Sequence, residues 1–233
     1  MLYLLLLVAI IFSFWAQFNV TSTFNKYSKL PNSSGMTGFD AARLILDKNG
    51  LHHIRIERIA GNLTDHYDPS ADVIRLSDSV YDARTSAAVG VAAHEAGHAV
   101  QHAVGYGPIK LRTAIVPICN IGSKLAIPLV LIGLFISAYF AVDSNLGYYI
   151  AMAGVWGYGL LAFFQFVTLP TEFNASRRAL EALSDYSTMT NDELSASKKV
   201  LTAAALTYVA AFAISLLQFL RILAMVASSK RRR

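Results

Sequence analysis

Four long stretches without a charged residue, at positions 2–20, 125–142, 144–171 and 200–220, constrain this chain more than any other feature. Each approaches or exceeds the ~18–20 residues that a helix needs to cross the hydrocarbon core of a bilayer. Only helices and closed barrels satisfy their backbone polar groups there. Composition agrees, with 55% hydrophobic and 15% charged residues, against about 25% charged in an average soluble domain. The chain therefore reads as a multipass helical membrane protein. Its first stretch has no basic n-region, and Phe14-Trp15-Ala16-Gln17 offers no small-x-small cleavage site, so it reads as a retained anchor rather than a signal peptide. A formal net charge of +5 would suit nucleic acid in a soluble domain. Here Lys and Arg collect beside the apolar stretches and face anionic headgroups, so no nucleic-acid partner is expected. Cys119 is the single cysteine, which excludes an internal disulfide and a cysteine-rich metal site. It reads as a small packing residue.

The polar region, about residues 21–114, carries the signs of a small α+β domain. A turn-rich tether, Lys29-Leu30-Pro31-Asn32-Ser33-Ser34-Gly35, opens it. Residues 39–46 read as a short amphipathic helix that Asn49-Gly50 stops. Residues 53–59 alternate as a strand, residues 73–76 read as another, and residues 62–68 lie between them as an irregular or edge strand. No internal repeat is visible.

Within that region stands His94-Glu95-Ala96-Gly97-His98. On a helix, residues four apart share a face, so both imidazoles can reach one metal ion. Glu95 lies beside them, where a carboxylate can take a proton from a metal-activated water. Thr85 or Ser86 can cap a helix running from Ala87 through this motif to Val104, and Gly105 offers a stop. The expected cofactor is Zn2+.

A catalytic zinc has three protein ligands and one open position. His102 continues the spacing, but eight residues of helix rise about 12 Å, so it cannot share an ion with His94 and His98. The extended HExxHxxGxxH pattern fails, because Gln101 and Val104 occupy its Gly and His positions. Glu57, Glu172, Glu181 and Glu193 remain as candidates. Chain direction favours Glu172. Asp143 alone separates the second and third apolar stretches, so these form a hairpin that crosses twice and returns residue 171 to the face that residue 114 left. Glu172 is then expected to open a helix just after Leu169-Pro170, a suitable place for a fixed carboxylate.

Three separated stretches give the chain a family likeness. They are His94-Glu95-Ala96-Gly97-His98-Ala99-Val100-Gln101-His102, Leu63-Thr64-Asp65-His66-Tyr67-Asp68-Pro69, and Thr168-Leu169-Pro170-Thr171-Glu172 continuing through Phe173-Asn174-Ala175-Ser176-Arg177-Arg178-Ala179-Leu180. Together they resemble the bacterial YugP-like neutral zinc metallopeptidases, over nearly the whole chain. More distantly, the layout is similar to the HtpX-type membrane peptidases, in which a transmembrane hairpin separates HExxH from a ligand Glu. The resemblance implies a zincin-like catalytic domain, with His94, His98 and Glu172 as zinc ligands and Glu95 as the catalytic acid/base. The wider Glu-zincin pattern often places Asp four residues after the ligand Glu. Ser176 stands there instead, which leaves its part in orienting a ligand histidine open.

The expected organisation is an anchor over 1–20, a catalytic region over 21–114, a transmembrane hairpin over 115–171, a ligand-Glu helix and following segment over 172–199, a fourth transmembrane or re-entrant helix over 200–227, and a basic tail over 228–233. The expected activity is hydrolysis of peptide bonds in protein or peptide substrates, membrane-associated ones above all, by a zinc-activated water with Glu95 as general base. The stretch from Asn62 to Tyr67 is a candidate edge for an extended substrate, with His66 a candidate oxyanion stabiliser. The rule of basic residues puts the catalytic domain in the cytoplasm of a multipass cell-membrane protein, with the N-terminus outside. The basic tail opposes this if the fourth segment spans, and agrees with it if that segment re-enters or lies along the interface. A non-catalytic zinc-binding scaffold or assembly factor is the competing class. Intact Glu95 argues against it, since a structural zinc site has no use for a general base. Oligomeric state is not legible.

Overall fold

In a computed structural model, which describes residues 1–139 and 144–231, the chain forms six helices and three strands among the described residues. Asp143 and the last two residues of the basic tail lie outside them. In chain order the elements are α1 (Leu2–Tyr27), α2 (Gly38–Lys48), β1 (Arg55–Ile59), β2 (His66–Asp68), β3 (Val73–Ser77), α3 (Ser86–Ala103), α4 (Gly107–Tyr139), α5 (Ser144–Tyr186) and α6 (Asn191–Arg231). The fold is predominantly helical, with a small mixed sheet.

The helices α1, α4, α5 and α6 are each long and apolar enough to cross a membrane, which gives the multipass topology. Large apolar side chains stand exposed along them, among them Leu4, Phe14, Ile118, Leu131, Phe135 and Trp156. Such a surface is unfavourable in water and ordinary against lipid tails. Each uncharged stretch is only part of its helix. Residues 21–27 carry α1 on past its apolar segment, α4 starts at Gly107, and α6 is one unbroken helix without a reversal.

Two compact units result. One, the membrane unit, is formed by Met1–Phe14, Leu111–Leu169 and Tyr208–Arg233. Within it Val130 of α4, Ala151 and Val155 of α5, and Ile222 and Val226 of α6 form a buried apolar cluster. The other, the site unit, is formed by Trp15–Lys110 and Pro170–Thr207. Its core joins Ile45 and Leu46 of α2, Ile74 and Leu76 of β3, Val89 and Ala92 of α3, Leu183 of α5 and Val200 of α6.

Local chemistry explains the site unit's elements. Thr37 caps α2 in a full capping box with Asp40, and α2 lays Ala41, Ala42, Ile45 and Leu46 into the core. Thr85 caps α3, its side chain accepting from Ala88 N. At the other end Gly105 takes φ +66° and Tyr106 N–H reaches back to Gln101 O at 2.9 Å, a left-handed stop that glycine makes easy. Helix α3 is buried on nearly all sides, so a one-sided apolar stripe is neither needed nor present. The sheet order is β1-β3-β2, with β1 parallel and β2 antiparallel to β3. The irregular stretch before β2 turns at Gly61 (φ +120°) and Leu63 (φ +55°), which shortens that strand to three residues.

One expectation needs correction. Glu172 does not open a helix after Pro170, because α5 runs unbroken from Ser144 to Tyr186 with Pro170 inside it. A proline removes one backbone donor, and here the flanking turns carry the helix across. The favourable N-terminal dipole therefore does not act on Glu172. Its position comes from helix continuity.

Candidate metal centre

Helix α3 presents His94 and His98 one turn apart, with ring centroids 4.7 Å apart in an edge arrangement. The unbroken α5 brings Glu172 between them, at 2% exposure. Its Oε2 lies 3.2 Å from His94 Nε2 and 3.5 Å from His98 Nε2. The three ligand-type atoms fall within 4.8 Å of one another. Two imidazoles and a carboxylate converging in this way are able to coordinate a metal ion.

Close approach of the two helices makes this possible. A Cβ on Gly97 would lie 2.7 Å from Ala175 O, so any larger residue would push α5 away from the histidines. The ring nitrogens facing away from Glu172 are also engaged. His94 Nδ1 lies 3.1 Å from Ser176 Oγ, and His98 Nδ1 lies 3.0 Å from Gln101 Oε1. Gln101 is fully buried, and its Nε2 donates to Thr171 O at 2.8 Å and to Asn174 Oδ1 at 2.9 Å. Arg178 Nε donates to the same Asn174 oxygen at 2.8 Å. This chain of bonds holds Nδ1–H of His98 toward the Gln101 carbonyl oxygen and leaves Nε2 for a metal. Burial alone would push the His98 imidazole pKa down. The Glu172 carboxylate outweighs it, and the net direction is upward.

Glu95, 9% exposed, faces the sheet rather than the imidazoles' partners: its Oε2 accepts the Tyr67 N–H at 3.0 Å. Tyr67 belongs to β2, one of the sheet's two edge strands. That strand is held from the loop before it. Asp65 Oδ1 accepts from Ser77 N at 2.7 Å and its Oδ2 from Ser77 Oγ at 2.9 Å. Burial raises the Asp65 pKa against those two bonds, and the nearby Glu95 charge adds to the rise. The Tyr67 phenol is pushed up to about 12, by burial first and then by the Asp72 charge.

The other sequence candidates sit elsewhere. His66 is exposed, with Nδ1 2.9 Å from Thr64 O and Nε2 3.4 Å from Arg75 Nη1, outside the His94–His98–Glu172 cluster. His102 packs its ring against Tyr67, centroids 5.5 Å apart. Glu57 pairs with Arg55 and Arg75, Glu181 lies 4.0 Å from Arg177, and Glu193 bonds Ser33 and Thr190. Sequence reasoning missed Gln101 and Asn174. The available signal was Gln101 at three residues after His98, on the same helix face.

Comparison with known proteins agrees with this geometry. The profile of the family described as "Putative neutral zinc metallopeptidase" matches residues 2–227. A Bacillus subtilis (strain 168) protein named "Putative membrane protease YugP" is 46% identical over 222 residues, which cover 95% of this chain and 95% of that protein. No solved structure matches the chain. A match of this extent, carried by a chain whose buried His, His and Glu converge for a metal, places the protein in the neutral zinc metallopeptidase family.

Proposed function

We propose that the protein is a zinc-dependent endopeptidase of the cell membrane, with His94, His98 and Glu172 as metal ligands and Glu95 as general base. The observation that carries this reading is the convergence of the two Nε2 atoms and the Glu172 carboxylate, with Glu95 adjacent on the same helix. The donor set fits zinc. Two imidazoles and one carboxylate are the ligands of His2Glu catalytic sites, which keep a fourth position open. When bound, zinc supplies Lewis acidity, lowering the pKa of a coordinated water to ~7 and polarising the scissile carbonyl.

The chain's own residues do the rest. The Glu95 carboxylate accepts the proton of the attacking water, whose oxygen bonds to the carbonyl carbon. It returns that proton to the amine nitrogen as the C–N bond breaks. Ser176 and Gln101 hold the ligand rings so that Nε2 faces inward. The edge strand β2 suits an extended peptide, and continuity of the site's helices with membrane-crossing segments suits membrane-associated proteins as substrates.

The test is zinc content and casein cleavage of the purified protein in detergent. Glu95→Gln is expected to keep wild-type zinc content and to lose ~10²–10⁴-fold in cleavage. Glu172→Gln is expected to lose zinc and cleavage together. Undiminished cleavage by Glu95→Gln would refute the mechanism, and a zinc-loaded wild type that never cleaves would instead support a non-catalytic scaffold. For orientation, the nine bases Lys26, Lys29, Lys110, Arg112, Lys124, Arg177, Arg178, Lys198 and Lys199 outnumber Arg221 and the basic tail at the far end of α6, and support a cytoplasmic site unit. An Asp143→Cys variant should then react with an impermeant thiol reagent in intact cells. Protection of that thiol would reverse the orientation.

A further inference from the structure

The end of α1 and the start of α6 enclose an open cavity of about 530 Å³, lined among others by Asn19, Thr23, Lys26, Lys198, Lys199 and Thr202. No carboxylate lines it. Lys26 Nζ and Lys199 Nζ stand 5.4 and 5.8 Å from the centroid of the Tyr27 ring, so two ammonium groups gather over one buried aromatic. Among the described residues no Asp or Glu forms an ion pair with Lys26, Lys198 or Lys199. Like charges held together without a counter-ion repel, and an anion between them reverses the sign of that interaction.

Depth in the membrane narrows the choice of anion. The apolar stretch of α1 gives way to Thr21-Ser22-Thr23 after Val20, and that of α6 begins at Val200. Lys26 therefore lies about 9 Å beyond the apolar end of α1 along the helix axis, near the depth of lipid headgroups. Lys198 and Lys199 directly precede the apolar start of α6. A second cavity, of about 500 Å³, shares Lys26 and adds Lys29 and Phe18. Phe18 is 73% exposed, so an apolar surface for an acyl chain adjoins the basic one.

We propose that this cradle binds the headgroup phosphate of an anionic phospholipid between α1 and α6. The ammonium groups of Lys26, Lys198 and Lys199 face the phosphate oxygens, Thr23 and Thr202 offer hydroxyls to the rest of the headgroup, and Phe18 borders the acyl chain. A free phosphate shares the charge but gains nothing from Phe18.

The experiment uses the full chain in detergent. Binding of phosphatidylglycerol, phosphatidylcholine and inorganic phosphate is measured by native mass spectrometry and by thermal shift. The protein carrying Lys26→Gln, Lys198→Gln and Lys199→Gln is compared with one carrying Lys110→Gln, Arg112→Gln and Lys124→Gln on α4. Each lysine near an anionic surface contributes about 1 kcal/mol, a factor of about five. The α1–α6 triple variant is therefore expected to lose at least about tenfold in phosphatidylglycerol affinity, and the α4 triple to stay within about twofold. The single Lys199→Gln variant, altered at one exposed side chain, should lose several-fold, and Lys→Arg replacements should restore binding. Equal losses in both triple variants, no preference for phosphatidylglycerol over phosphatidylcholine, wild-type binding by Lys199→Gln, or displacement of the lipid by matched inorganic phosphate would each overturn the proposal.

Discussion

Two helix junctions on α5 use the same device for different ends. In the site unit, Gly97 of α3 lets the Ala175 carbonyl approach to where a Cβ would stand 2.7 Å away. In the membrane unit, Gly133 of α4 meets the backbone of Gly147 and Ala151 in the same manner. The surroundings differ. Around Gly97 lie buried Gln101, Thr171, Glu172 and Asn174, all bonded or paired, whereas Ala151 beside Gly133 belongs to a buried apolar cluster with Val130 and Val155. Burying polar groups costs free energy unless every one is satisfied. The site unit has an apolar core of its own, built on α2, β3 and α3, to offset that cost. Helices in a bilayer lack a hydrophobic drive between them and associate through close packing of small residues. Glycine contact thus sets the distance in both places, and polar content decides which junction becomes a site.

The largest expected effect separates the two junctions. Gly97→Ala should gain about 1 kcal/mol of helix propensity yet lose function, because α5 must retreat from His94 and His98. Misplacement by about 1 Å costs on the order of 10²-fold in rate, so casein cleavage should fall at least that far and zinc affinity with it. Gly133→Ala should reduce the yield of folded, membrane-inserted protein. In the fraction recovered, zinc affinity should stay within about twofold of wild type, since the two positions share no partner. Zinc loss in Gly133→Ala equal to that in Gly97→Ala would erase the distinction.

How much of this was legible beforehand follows the range of each interaction. His94, Glu95 and His98 are local, fixed by one helix turn, and four uncharged stretches announce the crossing helices without any tertiary knowledge. Glu172 was reachable through chain direction alone, although the helix start imagined for it at Pro170 does not exist. Gln101 was visible only as a failure of the extended zinc motif. Its role depends on Thr171 O and Asn174 Oδ1, some 70 residues away in sequence, and no spacing rule reaches so far. The three-residue β2 was blurred by positive φ at Leu63, a non-glycine residue that carries no sequence mark of that conformation.

A smaller effect tests the polar network directly. Gln101→Leu keeps the side chain's bulk while removing the acceptor for His98 Nδ1–H and the donor to Thr171 O and Asn174. Changes of partners behind metal ligands typically cost ~10–100-fold in metal affinity or activity, and that range is expected here, measured by chelator competition for zinc. Gln101→Glu retains an acceptor for His98 and should recover part of the affinity. If Gln101→Leu binds zinc as tightly as wild type, the buried bonds serve packing and not the ligand.

The smallest expected effect concerns the other imidazole. His94 leans on Ser176, a neutral and partly exposed hydroxyl, where His98 leans on a buried amide that is itself fixed at two further points. Loss of the weaker support should matter less, because water can replace an exposed hydroxyl at little cost. Ser176→Ala is therefore expected near the ~10-fold lower end of such effects on zinc affinity. Ser176→Asp places a carboxylate behind His94, which raises the basicity of the ligand nitrogen and should tighten zinc relative to Ser176→Ala. Should Ser176→Ala weaken zinc more than Gln101→Leu does, the ranking by burial fails, and His94 rather than His98 is the ligand whose orientation limits the site.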